Sequence, residues 1–218
     1  MAAQVSTAMM VLAQPSDGPR ECPFINSLPL QIPSPLPAEY AHAGHWLDGW
    51  KLAAISRQAE LLDRLLALRP HIFNQRPIHT PEVTLKWVDL YAAVLAVPDV
   101  TRHPAYAWLR EYVATCPPQG SHGKAVKYLS GPRLDLLPPL VDRDAIGFEA
   151  ALDRALEAHK EYWSKTAKRR KDPEGFVALD LTALAALAWD RGLRFQVDSD
   201  YLPWSWVTGE LFARQSVA

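Results

Sequence analysis

Cysteine is nearly missing from this chain: Cys22 and Cys116 are its only two, and they lie far apart among 218 residues. Disulfide frameworks and paired-cysteine zinc knuckles need several closely spaced thiols, so both are excluded, and a reducing cytoplasm is the compartment this usage fits. Charge of one sign is lacking too. The formal balance is −1, so no global field draws the chain to nucleic acid or an anionic membrane, and any such binding has to be local. No apolar run reaches the roughly 20 residues of a membrane span. The mostly apolar stretch Val5 to Ala13 is broken by Ser6 and Thr7 and follows no Lys or Arg, so an export signal is not expected. A Gly-rich phosphate loop, a nucleophile elbow and a zinc-protease histidine pair are also absent, which removes the enzyme classes readable from short motifs.

What is present is an ordinary globular composition, 49% hydrophobic and 22% charged, at a length that suits one well-cored domain. Seven of the 19 prolines fall early, at Pro15, Pro19, Pro23, Pro29, Pro33, Pro35 and Pro37. A helix cannot run through prolines at that density, so residues 1–38 are expected as an extended, proline-rich arm before a single domain over 39–218. Phe24, Ile25, Leu28, Leu30 and Ile32 give part of that arm a reason to lie on the body.

From Tyr40 onward the apolar spacing turns helical. Ala43, Trp46, Leu47, Trp50, Ala53 and Ala54 recur at three and four residues. Gln58 to Leu68 follows with Leu61, Leu62, Leu65 and Leu66 inward, then a helix opened by Thr80-Pro81-Glu82 that buries Val83, Trp87, Tyr91, Val94 and Leu95. A further helix runs from about Pro104 to Thr115. The stretch Cys116 to Arg143 holds five prolines and three glycines, and reads as connection with one short helix near Lys124 to Leu129. Phe148, Leu152, Ala155, Leu156, His159, Tyr162 and Trp163 then share one arc. Asp180 stands where it caps a helix that is apolar on every side, and such a helix is central and surrounded. Gly192 sits at the position of a left-handed C-terminal cap, and Leu193, Phe195 and Val197 alternate as a short extended segment. The sum is an all-α fold of antiparallel helix pairs with little or no sheet.

Candidate chemistry is sparse. His42, His45 and Asp48 fall three apart on one helix stripe, a possible metal edge that lacks a further ligand; the plainer reading is surface histidines on a Trp-rich helix. His159 lies on an apolar arc and reads as a hydrogen-bonded core histidine rather than a general base. Lys165, Lys168, Arg169, Arg170 and Lys171 put five cations into seven residues. That density suits phosphates or an acidic protein, or else a solvated loop, since no aromatics interleave with it. The tail carries Asp198, Asp200, Trp204, Trp206 and Glu210. Rings with acids on a loop are interface material, because rigid rings supply contact area and acids select the partner; a tail folded back over the core reads equally well. No catalytic set, metal set or cofactor is expected.

Four blocks together resemble a known family. They are Ala41-His-Ala-Gly-His-Trp-Leu-Asp-Gly-Trp50, Ala151-Leu-Asp-Arg-Ala-Leu-Glu-Ala-His-Lys-Glu-Tyr-Trp163, Asp172-Pro-Glu-Gly-Phe-Val-Ala-Leu179, and Ala185-Ala-Leu-Ala-Trp-Asp-Arg-Gly-Leu193 with Val197-Asp-Ser-Asp-Tyr-Leu-Pro203. In this order they resemble the immunity 49 family of bacterial polymorphic toxin systems, over roughly residues 38 to 206. Members carry more helix before the His-Ala-Gly block, where this chain has its proline-rich arm. The resemblance implies a cytoplasmic, non-catalytic immunity protein that binds and neutralises a cognate toxin encoded by the adjacent gene. It fixes no binding residues. The acidic, aromatic tail is the expected partner surface, and a nucleic-acid or metal-dependent role for the 165–171 loop or the His42, His45, Asp48 stripe is the alternative.

Overall fold

The computed structural model describes residues 2–12, 20–24, 28–32, 42–68 and 80–213. The described elements are helices and one β-hairpin, and they group into two compact units, Met1–Ala96 and Val97–Ala218.

The first unit begins with a helix where an extended arm was expected. Every early proline lies at residue 15 or beyond, so Ala2–Leu12 (α1) keeps all its amide donors; it buries Ala3, Ala8 and Met10 and packs on the helix Ala43–Ile55. The proline-bearing part is extended. Arg20–Phe24 (β1) and Leu28–Ile32 (β2) pair antiparallel with Arg20 opposite Ile32, and β1 lies against α1. Pro23 stands opposite Pro29, a pairing of two residues without amide donors that a two-stranded ladder accommodates where their nitrogens face away from the partner strand. Whether Phe24, Ile25, Leu28, Leu30 and Ile32 rest on the body lies outside the described side chains.

The helix Ala43–Ile55 (α2) starts at His42, whose Nδ1 accepts from the Gly44 amide at 3.1 Å. Its Trp46 and Trp50 are fully buried. Trp46 Nε1 donates to the Leu65 carbonyl at 2.7 Å, tying α2 to Ala59–Ala67 (α3), and Trp50 stacks on Tyr91 of Glu82–Ala96 (α4) with ring centroids 4.4 Å apart. Stacked indole and phenol rings add to the area they bury. Of the four leucines expected inward on α3, Leu65 is buried while Leu61, Leu62 and Leu66 are half-buried.

The second unit opens with a 3-10 turn at Val100–Arg102 and the helix Pro104–Thr115 (α5), which has proline in its first turn and is capped by His103 Nδ1. The stretch read as connection is mostly helical. Gly120–Ala125 (α6), a π-helical turn at Val126–Ser130, Gly131–Leu134 (α7) and Leu137–Asp142 (α8) run almost without a break. Pro132, Pro138 and Pro139 fall in helical first turns, where the missing amide would have had no partner within the helix. Their leucines Leu134, Leu136, Leu137 and Leu140 are all buried.

Ala145–Ser164 (α9) is the hub of this unit, touching the π-turn, α7, α8 and the later segments Ala167–Arg170, Pro173–Gly175 and Leu179–Asp190. Its arc Phe148, Leu152, Ala155, Leu156 and His159 is buried, while Tyr162 and Trp163 are half-buried. Ala167–Arg170 (α10) and a 3-10 turn at Pro173–Gly175 lead to Leu179–Asp190 (α11), which is buried without interruption from Leu181 to Ala188. This is the central apolar helix anticipated from its composition. Asp180, however, does not cap it. The cap position is Ala178 with no side-chain bond, and Asp180 pairs with Arg133 of α7 at 2.8 Å, joining segments 47 residues apart.

One contact locates the Pro-Glu-Gly turn. A Cβ at Gly175 would lie 2.8 Å from Trp163 Cγ and Cδ2, so only a glycine lets the indole rest on the turn backbone. Gly175→Ala is therefore expected to lower stability by about 1–3 kcal/mol, the usual cost of forcing extra volume into a packed site. Urea unfolding of both proteins measures it; equal midpoints would show that the indole can move aside at no cost.

Candidate functional site

The tail is positioned by a succession of specific bonds. α11 ends at Gly192, whose φ of +91° is the left-handed geometry anticipated for it. The chain then runs extended, with Leu193, Phe195 and Val197 buried and Arg194, Gln196 and Asp198 exposed. No strand pairs with this segment among the described residues. Instead, the Gln196 amide donates to Glu149 Oε2 of α9 at 2.8 Å, and Arg194 lies over the Trp189 ring, 4.4 Å from its centroid, while donating to the Trp189 carbonyl at 2.9 Å. A turn follows at residues 199–202, where the Leu202 amide donates to the Ser199 carbonyl and the Tyr201 amide to Ser199 Oγ. The Ala178 amide donates to the Tyr201 carbonyl at 2.9 Å, which stitches this turn to the segment following the Pro-Glu-Gly motif.

The five tail residues named from the sequence separate into two groups. Asp198, Asp200 and Glu210 are exposed. Trp204 and Trp206, on Trp204–Thr208 (α12), are half-buried, and Trp204 packs edge-on against Trp189 at 5.4 Å and Phe195 at 5.9 Å. Trp204 thus closes the aromatic end of the core, one of the two readings left open for it. Asp200 lies on that turn with Asp198 just before it, while Glu210 opens the separate short helix Glu210–Ala213 (α13).

His159 holds the turn from beneath. It is buried, its Nε2 donates to the Gly175 carbonyl at 3.1 Å, and Tyr201 meets it edge-on at 5.2 Å. Burial pushes its pKa below the ordinary 6.5, and the Gly175 carbonyl and the Asp180 carboxylate pull only partly in the other direction. A neutral imidazole donating one hydrogen bond is a structural pin, as its place on the apolar arc suggested.

The remaining candidates are engaged elsewhere. His42 spends Nδ1 on its helix cap and stacks on His45 at 3.9 Å, while Asp48 pairs with Lys51 at 2.8 Å. Among the described residues no group of three His, Cys, Asp or Glu is placed to hold a metal ion. In the basic segment, Thr166 caps α10. Arg169 stacks 3.7 Å above the Tyr162 ring, Arg170 donates to the Ser164 carbonyl, and Lys165 pairs with Glu161 at 3.2 Å. Three of the five cations therefore fasten the segment to α9. A shallow groove along the outer face of α9, lined by Asp153, Arg154, Glu157, Lys160 and Glu161, mixes both signs as a solvated helix face does.

Against this geometry stands one match: the model of the family described as Immunity protein 49 covers residues 1–206. The chain belongs to that family. The match includes the segment before residue 38, so the arm is part of the family's region, and α1 supplies helix where the proline pattern had suggested a departure. Membership in Immunity protein 49 suggests a toxin-neutralising role and implies a cognate toxin partner, in a family that is generally non-catalytic. No curated protein matches the chain, and no solved structure does. No helix among the described residues is long and apolar enough to cross a membrane.

One exposed residue escapes any periodicity argument. Phe176 lies between the 3-10 turn and α11, outside both apolar arcs, and is 60% exposed. The only available signal was a large ring placed directly after a Pro-Glu-Gly turn.

The His159 pin has a pH signature. Because its folded pKa is depressed, the unfolded chain takes up the proton first, so stability is full above about pH 6.5 and falls as pH drops toward the lowered folded value. His42, lowered by burial and by His45, acts in the same direction. His159→Gln, which keeps a donor for Gly175, is expected to lose less stability than wild type between pH 7.5 and 5 in urea titrations, with His42→Asn run alongside to separate the two histidines. A loss identical to wild type would mean that His159 does not titrate in this window.

Proposed function

We propose that this chain is an intracellular immunity protein that binds a secreted antibacterial toxin and neutralises it by covering the toxin's active site, without catalysis. Membership in the family is the observation that carries this reading. The absence of short catalytic motifs in the sequence is consistent with it. The partner is the toxin encoded by the adjacent gene.

The contact surface is assigned to the acidic tail at Asp198 and Asp200, with Glu210 beyond it and Trp204 and Trp206 behind it. What supports the assignment is exposure combined with rigidity. The carboxylates are solvent-facing, yet their turn is held by the Tyr201 carbonyl, Ser199 Oγ and Glu149, so little conformational freedom is lost when a partner docks. Carboxylates so placed steer a cationic partner and raise its encounter rate.

Co-expression with the toxin from the adjacent gene is expected to rescue growth and to give a complex that survives purification. Absence of both rescue and complex would end the reading. Asp198→Lys with Asp200→Lys is expected to slow association about tenfold or more, and to weaken protection, while thermal unfolding stays within about 1 °C of wild type because both side chains are exposed. Full protection by the double variant would move the contact elsewhere.

A further inference from the structure

We infer that Phe176 is the apolar anchor of the partner surface, presented beside the turn that carries Asp200 to a toxin face with an apolar socket. This rests on the immunity reading and adds to it a residue and a division of labour.

A single exposed apolar side chain is ordinary on a protein surface. Ile146, 85% exposed at the start of α9, is such a case. Phe176 differs in how firmly its backbone is held. Its own amide donates to the Pro173 carbonyl at 3.2 Å, the Gly175 amide to the Asp172 carbonyl at 3.0 Å, and the Glu174 amide to Asp172 Oδ1 at 3.2 Å. Gly175 is pinned from below by His159 and covered by Trp163. A phenyl ring on so constrained a turn has only its side-chain rotamer to lose on binding, the property that lets rigid rings act as hot spots.

It differs also in its neighbours. The Ala178 amide to Tyr201 carbonyl bond lies two residues from Phe176 and one from Asp200. Chain geometry therefore keeps the Cα atoms of Phe176 and Asp200 within about 17 Å of each other, inside the roughly 800 Å² that one partner contributes to a standard interface. Glu174, exposed on the same turn, adds a third carboxylate. The half-buried indoles of Trp204 and Trp206 offer less free ring surface than Phe176, and Trp204 is committed to Trp189 and Phe195. The only fully presented ring beside the acids, among the described residues, is Phe176. Lys171, exposed just before the turn, makes the rim one of both signs, and an apolar centre within a charged rim fits a partner face with a socket for one ring.

The two parts of the surface predict different kinetics. Rim charges act on association, and a buried anchor acts on dissociation. Binding of the toxin domain from the adjacent gene would be followed by surface interferometry for wild type, Phe176→Ala, Asp198→Lys with Asp200→Lys, and Ile146→Ala. Phe176→Ala is expected to dissociate roughly 30-fold faster, the lower end of a hot-spot truncation, with association and thermal unfolding unchanged. Ile146→Ala is expected to match wild type. If wild type binds and Phe176→Ala binds and dissociates equally, the anchor is refuted while the immunity reading stands. If wild type itself fails to bind, the immunity reading falls, and the anchor with it. A loss for Phe176→Ala accompanied by a lower unfolding temperature would also overturn the assignment, since the ring would then be serving the fold.

Discussion

The contact between α9 and the Pro-Glu-Gly turn is the constraint on which the second unit depends. His159 donates to the Gly175 carbonyl while Trp163 lies on the glycine itself. The two side chains are four residues apart, one helical turn, so both reach the same place from one face of α9. Their grip fixes the turn, the turn fixes Ala178, and the Ala178 amide fixes Tyr201 and the acidic turn before it. Tyr201 closes the circuit by packing its ring against His159. The line of support therefore runs from helix to turn to tail, and the exposed groups at its end are held by bonds that begin in the core.

The tail also shows how polar satisfaction replaces a sheet. Leu193, Phe195 and Val197 alternate inward as in a strand, but no neighbouring strand among the described residues accepts their backbone. Glu149 takes the Gln196 amide instead, and the Arg194 guanidinium covers the end of α11 while stacking on Trp189. Each substitute bond comes from a long, charged side chain whose tip reaches a backbone group at the surface. Long-range pairs do similar work for α11. Arg133 meets Asp180 in the first turn of a helix whose other polar residues are Thr182 and Asp190, where an acid also suits the helix dipole.

Much of the helical pattern was legible beforehand, for reasons that can be named. The arcs over Ala43–Ile55, Glu82–Ala96, Pro104–Thr115 and Ala145–Ser164 are periodic over several turns, and Leu181 to Ala188 is apolar all round, so packing had one solution in each case. Proline was the misleading signal. Density of proline removed α1 from view although every proline follows it, and it turned Gly120–Asp142 into connection although its prolines occupy first turns. What matters is the position of a proline relative to a helix start, and position is unknown until the helix is.

For the site, local chemistry was readable and partnership was not. The exposure of Asp198 and Asp200 and the left-handed Gly192 follow from residue type and spacing alone, because charge seeks water and glycine tolerates positive φ. The sequence by itself determined the helical class, the family blocks and the acids of the tail, all of which depend on neighbours within a few residues. Tertiary structure alone decided that Trp204 packs on Trp189 and Phe195, that Asp180 serves Arg133, and that Phe176 stands exposed beside the Tyr201 turn. Those outcomes rest on contacts between residues 9 to 47 positions apart, which depend on how the helices pack and not on any pattern within one of them.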